Sequence, residues 1–550
     1  MAKGLRGIRQ KLSRAAEMAK GVQRLHASGI VDLGNLGATL QTVKNSRVYV
    51  PQATMAIQGG RKFPSLPAVV DERGTLTYKQ VDDMSTALAR GLQRLGVGGG
   101  SVVGLLCRDH RGLIIAMAAC GKLGARQVMM NTGFAKPQFA QVCERENVKV
   151  VLHDSEFLSL LDALPPELPR VLTWVDEGTH PPDDLPTIDG IIATSSTEPL
   201  PPPSKPGGIV VLTSGTTGLP KGAPRAKFSP FATVQIIDRV PYPRKGTMVI
   251  VSPIFHSTGL ATFMVGAALG NKIVTVRRFN PEATLKLIAD HKADMLVAVP
   301  TMLHRIVELA PDVIAKYDTS TLKAIVIAGS ALTPDLSNHV QDMFGDVLYN
   351  MYGSTECGIA SIATPDELRV APGTAGRSPV TCEVVLFDDN DRRVDGIHKR
   401  GRIFVRNAAP FEGYTDGRHK QIIDGYMSSG DVGYFDENGL LFVDGRDDDM
   451  IVSGGENVFP QEVENLLIER DDIFDAAVVG VDDHEFGKRL RAFIVSRPGA
   501  PQDAEEIKRH VKNNLARYKV PRDVVFVNEL PHNATGKLLR RVLTEMNVDS

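Results

Sequence analysis

Short β-branched runs recur along most of this chain, separated by helix-length segments: "SVVGLLC" (101–107), "KVVLHD" (149–154), "GTMVIVSP" (246–253) and "LKAIVIAG" (322–329). Apolar runs of this length between helical stretches predict α/β domains with largely parallel sheets. At 550 residues the chain is too long for one hydrophobic core, so at least two domains are expected. No repeat of fixed period is present, which leaves out solenoids and propellers. The proline-rich stretch "SSTEPLPPPSKP" (195–206) reads as an exposed approach, because strand-like "GGIVVL" resumes at once.

A net charge of −1, with 43% hydrophobic and 23% charged residues, carries no electrostatic footprint for nucleic acid. The five cysteines (Cys107, Cys120, Cys143, Cys357 and Cys382) are scattered without a CxxC pair, and no histidine stands at metal-ligand spacing. Neither a disulfide framework nor a zinc site is expected, and a reducing, cytoplasmic setting fits. The most apolar stretches, such as "RGLIIAMAAC" (111–120), fall far short of the roughly 20 residues a membrane-spanning helix needs.

The first thirty residues differ from the rest. Lys3, Arg6, Arg9, Lys11, Arg14, Lys20 and Arg24 stand against a single acid, Glu17, while Leu5, Ile8, Leu12, Ala15, Ala19 and Val22 recur at helical spacing. The pattern fits a basic amphipathic helix for peripheral contact with a membrane surface, a helix docked on the body of the protein, or a transit peptide. Gly4, Gly7 and Gly21 weaken the helix and favour the docked reading.

Residues 210–225, "VVLTSGTTGLPKGAPR", place a strand before a loop rich in glycine and hydroxyl side chains, closed by Lys221. Such a turn gathers backbone N–H groups around one point, and polyphosphate is the ligand that chemistry suits. The GxxxxGK[ST] phosphate loop is excluded, because Pro220 stands where the second glycine belongs and Gly222 where the magnesium-binding hydroxyl belongs.

The same run resembles the "TSGTTGxPKG" signature of the adenylate-forming superfamily of acyl-CoA synthetases, luciferases and adenylation domains. "MYGSTECG" (351–358) is similar to that family's "YGxTE" segment. "SSGDVGYFDENGLLFVDGRDDDMIVSGGENVFPQEVE" (428–464) resembles its hinge region, and "LARYKVP" (515–521) and "LPHNATGKLLRR" (530–541) its last two segments. The resemblance implies a large N-terminal domain of α/β subdomains followed by a smaller mobile α+β domain. The expected division is an N-terminal extension over 1–55, an ATP- and acyl-binding domain over 56–445, a hinge at 446–449 and a C-terminal domain over 450–550.

The reaction it implies starts with a carboxylate, a poor acylating agent at neutral pH, which attacks the α-phosphate of ATP and becomes an acyl-adenylate. An anion then approaches a polyanion, so cations and donors aimed at the phosphates are needed. By resemblance, Thr213, Ser214, Gly215, Thr216, Thr217, Gly218 and Lys221 cradle the β- and γ-phosphates, Thr355 holds the α-phosphate, and Glu356, with Thr217, binds Mg²⁺. Tyr352 lies against the adenine, with Gly329 and Ser330 of "AGSAL" (328–332) on its other side. Asp431 accepts from the ribose hydroxyls and Arg446 adds a second contact. Read alone, Asp431 fits a turn cap equally well. Lys537 bridges the substrate carboxylate and the α-phosphate, although an isolated lysine is ordinarily a surface residue.

Asp448 matches the hinge residue about which the C-terminal domain turns to exchange Lys537 for a thioester-forming face. Gly454 and Gly455 then leave room for a pantetheine channel to coenzyme A. Lys488 is a departure from the family pattern with no reading attached to it. His256, Gly353 and Gly358 belong to the acyl pocket. Gly353 stands where short-acid members carry a closing tryptophan, and the chain's one tryptophan, Trp174, lies elsewhere. Ser257 replaces the second histidine of the luciferase-like pattern, which argues against luciferin and aryl acids. The expected protein is a fatty acid–CoA ligase for medium or long chains, using ATP, Mg²⁺ and coenzyme A. The alternatives are transfer to a carrier protein, activation of an aromatic or sterol-side-chain acid, or a catalytically silent nucleotide-binding protein.

Overall fold

A computed structural model describes residues 18–31, 34, 37, 48–180, 182–213, 220–225, 229–409, 411–447, 449–453, 456–483, 487–533 and 536–546. Two large sheets form the body. In the eight-stranded sheet, strands Leu348–Ser354, Ala324–Ile327, Met295–Ala298, Thr247–Ile250, Lys272–Thr275 and Pro67–Asp71 run parallel in that order. An antiparallel strand closes each edge, Gly358–Ala363 at one and Gly74–Thr77 at the other. The six-stranded sheet runs Arg170–Trp174, Val150–Asp154, Val102–Leu106, Arg126–Met129 and Ile209–Thr213 in parallel, and Lys221–Arg225 returns antiparallel as a hairpin. The β-branched runs of the sequence therefore occupy the expected strands, buried on both faces.

Helix Arg111–Leu123 is buried along its whole length after Arg111, which explains why its sequence is apolar on every side. The His110 side chain accepts from the Gly112 N–H at its start, and Gly124 ends it at φ +68°. The core around it joins Val103 and Leu105 of one sheet to Met248, Ile250 and Ile273 of the other.

An antiparallel sheet follows, built on Glu383–Phe387, Gly401–Arg406, Tyr426–Phe435 and Leu441–Arg446. The C-terminal part has its own core of Val463, Leu467, Val478, Ala492, Ile494 and Val511. Its three-stranded sheet (Ile473–Asp483, Gly487–Ser496, Asp523–Phe526) packs against helices Pro460–Ile468, Ala504–Asn514 and Arg540–Glu545.

Of the basic N-terminal segment, residues 1–17 lie outside the described part. A helix over 18–28 docks on the body: Leu25 is buried, Gly21 faces the Phe231 ring, and the Arg24 guanidinium meets Asp238 at 2.9 Å. The expected apolar stripe is corrected where it can be seen, because Ala19 and Val22 are exposed and the buried face passes through Gly21 and Leu25. No helix among the described residues is long and apolar enough to cross a membrane.

Candidate active site

Hairpin Ile209–Thr213 and Lys221–Arg225 delivers both ends of the glycine-rich loop to one place. Thr213 pairs with Lys221 across it, and the Thr213 hydroxyl donates to the Lys221 carbonyl at 3.3 Å. Ser214, Gly215, Thr216, Thr217 and Gly218 lie outside the described residues, as do Asp448, Gly454 and Gly455. The Lys221 ammonium stands 5.2 Å from the centre of the Tyr414 ring. Tyr414 donates in turn to the Glu356 carboxylate.

Glu356 sits in the turn between Leu348–Ser354 and Gly358–Ala363, and that turn is held from three sides. Arg225, at the end of the hairpin, donates to the Glu356 carbonyl at 2.8 Å and to the Thr355 carbonyl. The Thr355 and Ser257 hydroxyls are 2.9 Å apart, and the Ser354 hydroxyl accepts from the Cys357 N–H at 3.0 Å. Burial pushes the Glu356 carboxyl upward, but the Tyr414 hydrogen bond and the Lys420 charge outweigh it and leave the group below its usual range. The result is a buried, ionised carboxylate linked through Tyr414 to Lys221.

Tyr352 and Asp431 come together from different sheets, with the phenol donating to Asp431 at 2.5 Å. Arg446 pairs with Asp431 across neighbouring strands at 3.6 Å. Burial dominates at Asp431 and holds its carboxyl above the ordinary value despite Arg446 and Tyr352. Beyond strand Ala324–Ile327 the chain turns at Gly329, whose φ of +101° suits glycine, and the buried Ser330 hydroxyl has no hydrogen-bond partner.

His256 packs on Phe255 with ring centres 4.3 Å apart, and its buried Nε2 is also without a partner. Burial pushes this imidazole down to about 3, so it is neutral at physiological pH. Both atoms, the Ser330 hydroxyl and the His256 Nε2, are open to a water or a ligand as hydrogen-bond partner. At Gly353 an added Cβ would stand 2.0 Å from the Gly358 carbonyl oxygen, and Gly358 itself has φ +67°. The two glycines let adjoining strands close at the rim.

Lys537 is exposed, in a turn closed by Asn533: the Asn533 side chain accepts from the Lys537 N–H at 2.9 Å, and the Asn533 N–H donates to the Lys537 carbonyl at 2.9 Å. Gly536 abuts Thr301, so close that a Cβ would stand 1.9 Å from the Thr301 hydroxyl oxygen. Thr301 opens helix Pro300–Val307 directly after strand Met295–Ala298, whose neighbour leads into Gly329 and Ser330. The lysine turn therefore reaches the same C-terminal edge of the parallel sheet, where ligands of open α/β folds bind.

The sequence reading missed Arg225, Tyr414 and Lys420. Arg225 acts through backbone carbonyls 130 and 131 residues away, and Tyr414 through one hydroxyl 58 residues from its partner. Spacing along the chain carries no signal for either. Ser257, read from the sequence as a marker of acyl class, is engaged with Thr355.

The family model described as AMP-binding enzyme matches residues 58–415, and that described as AMP-binding enzyme C-terminal domain matches 462–537. The chain is 30% identical to an indoleacetate–CoA ligase of Aromatoleum aromaticum, over 86% of this chain and 94% of that one. It is 28% identical to a fatty acid–[acyl-carrier-protein] ligase of Streptomyces coeruleorubidus, over 91% and 98%. An anthranilate CoA ligase solved with anthranoyl-AMP superposes with a TM-score of 0.81 at 25% identity, covering 90% of this chain and 97% of that one.

Proposed function

The chain belongs to the AMP-binding enzyme family, and on that footing we propose that it joins an apolar carboxylic acid to coenzyme A by way of an acyl-adenylate, releasing pyrophosphate and then AMP. The observation that carries this reading is the convergence of Thr355, Glu356, Asp431 and Arg446 beside the hairpin whose return strand opens with Lys221.

Asp431, oriented by Tyr352, offers its carboxylate to the ribose hydroxyls, and Thr355 a hydroxyl to the α-phosphate. Lys221 faces the outer phosphates. Glu356 presents a hard oxygen that fits Mg²⁺, and no cluster of three or more metal-ligating side chains exists among the described residues. That ion would be held by one carboxylate and by phosphate oxygens, an arrangement typical of magnesium, and would neutralise phosphate charge. Lys537 offsets the charge that builds as the carboxylate attacks. Lys537→Ala is expected to lower acyl-adenylate formation at least about a hundredfold while sparing thioester formation from supplied acyl-adenylate. Equal loss of both steps would remove the assignment.

For the acid, a medium- or long-chain fatty acid is the leading choice. The support lies in the sequence, glycine rather than tryptophan at 353 and the small residues Ala328, Gly329, Ser330 and Gly358 in the segments that the resemblance assigns to the acyl pocket, although in the fold Gly353 serves first to let its strand approach the Gly358 carbonyl. A second reading, an aromatic acid, is favoured by two of the relatives named above, which are ligases for indoleacetate and anthranilate. The deciding experiment incubates the protein with Mg-ATP and a panel of acids from acetate to long-chain and aromatic, with and without coenzyme A, and identifies products by mass spectrometry. Acyl-CoA with AMP and pyrophosphate is the expected outcome. Accumulated acyl-AMP indifferent to coenzyme A would point to a carrier-protein thiol instead, and no product with any acid would overturn the ligase reading.

A further inference from the structure

We propose that Lys420 is a nucleotide-binding residue that contacts the α-phosphate and remains on it through both half-reactions. The inference rests on the ligase reading and adds to it a cation that belongs to the large domain.

Lys420 precedes Gln421, whose carbonyl accepts from the Ser428 N–H at 2.9 Å, and this ties its backbone to the edge of strand Tyr426–Phe435. Its ammonium lies 3.2 Å from the point where a Cβ on Gly430 would stand, and the Arg446 guanidinium lies 3.1 Å from the same point. Gly430 has φ +86°, so two cations overlie a stretch of backbone that only glycine holds comfortably. Half-buried Lys420 forms no ion pair among the described residues. Its charge nevertheless acts on both Asp431 and Glu356.

Two like charges converging in a partly desolvated place repel each other unless an anion lies between or beside them. Asp431 pairs with Arg446 and accepts from Tyr352, and Glu356 accepts from Tyr414, so Arg446 has a carboxylate partner while Lys420 has no direct one among the described residues and can meet an anion from outside the chain. Between a carboxylate facing the ribose and one facing the outer phosphates, the group of a bound nucleotide that lies nearest is the α-phosphate. Lys537 serves from the other domain and leaves when that domain turns. Lys420 lies in the segment that leads into the sheet of Asp431 and Arg446 and is tied to it through Gln421, so it stays with AMP as the leaving group of the second step.

Calorimetry with the full-length protein tests this, using AMP and adenosine as paired ligands that differ only in the phosphate. Lys420→Met is expected to weaken AMP binding about tenfold or more and leave adenosine binding within about twofold, and Lys420→Arg to restore most of the AMP affinity. Unchanged AMP affinity in Lys420→Met, or equal loss for adenosine, overturns the proposal. Kinetics supply an independent readout: Lys420→Met is expected to slow both adenylate formation and thioester formation from supplied acyl-adenylate, whereas loss confined to the first step would contradict it. A wild-type protein that binds AMP and makes acyl-adenylate while Lys420→Met does both equally well sinks this inference alone. A wild-type protein that does neither sinks the ligase reading with it.

Discussion

Asp109 is a carboxyl group buried beside Arg108 and accepts the Ile254 N–H at 3.0 Å, at the head of the segment that carries His256. Burial pushes it up to about 7, with Ile254 and Arg108 pulling the other way. An acid whose folded-state value exceeds its unfolded one binds more protons when folded. Stability is therefore lost as pH rises from the ordinary carboxylate range through 7, and the penalty is complete above that. Asp109→Asn keeps an acceptor for Ile254 without the charge, so it is expected to raise the melting temperature at pH 8 by more than at pH 5. The gain corresponds to about 1 kcal/mol or more, since a tenfold change in proton affinity is worth about 1.4 kcal/mol. Thermal melts of both proteins across pH 5–8 check the sign; a gain that grows toward low pH would refute it. Glu356 and Asp431 were legible because each lies inside a recognisable string of neighbours. Tyr414 was not, because a phenol that orients a carboxylate leaves no pattern around itself.

The hairpin Ile209–Thr213 and Lys221–Arg225 carries both ends of the glycine-rich loop and, through Arg225, holds the Glu356 turn. Its strand could be read from "GGIVVL", yet its return strand, "KGAPR", contains glycine and proline and does not read as β. Pairing at the sheet edge decides the matter, since Lys221 through Arg225 match Thr213 through Ile209 residue by residue. Arg225→Leu leaves the Thr355 and Glu356 carbonyls without this donor. Loss of about 2 kcal/mol of stability is expected, together with at least a tenfold fall in ATP–pyrophosphate exchange; unaltered exchange would mean that Arg225 does not position the turn. The N-terminal helix teaches the opposite lesson. Its apolar spacing is visible in the sequence, but Gly21, having no side chain, lets the backbone approach Phe231 and so turns Ala19 and Val22 outward.

Contacts between the C-terminal part and the body fix the present arrangement: Arg497 with Glu308 at 2.6 Å, Phe474 with His304 at 5.1 Å between ring centres, and Gly536 on Thr301. Arg400 of the body also reaches Glu462 of the C-terminal part. Partly exposed ion pairs of this kind contribute little individually, about 0–1 kcal/mol, which suits a contact that must break in each turnover if the C-terminal domain turns. Glu308→Cys with Arg497→Cys, joined by a bis-maleimide, holds the Lys537 turn at the sheet edge. The native cysteines are buried or half-buried, which favours selective coupling. The crosslinked protein is expected to retain ATP–pyrophosphate exchange and lose coenzyme A-dependent thioester formation; retention of both would exclude a domain rotation.

The sequence by itself determined the β-branched central strands, the α/β class and the motif strings around Lys221, Glu356, Asp431 and Lys537, because periodicity and local turn chemistry are properties of neighbours along the chain. Only the tertiary structure decided that Tyr352 orients Asp431, that Tyr414 and Arg225 hold Glu356 and its turn, and that Lys420 stands over Gly430. These contacts join residues from ten to more than a hundred positions apart, and their partners are set by sheet order and register, which no local pattern records.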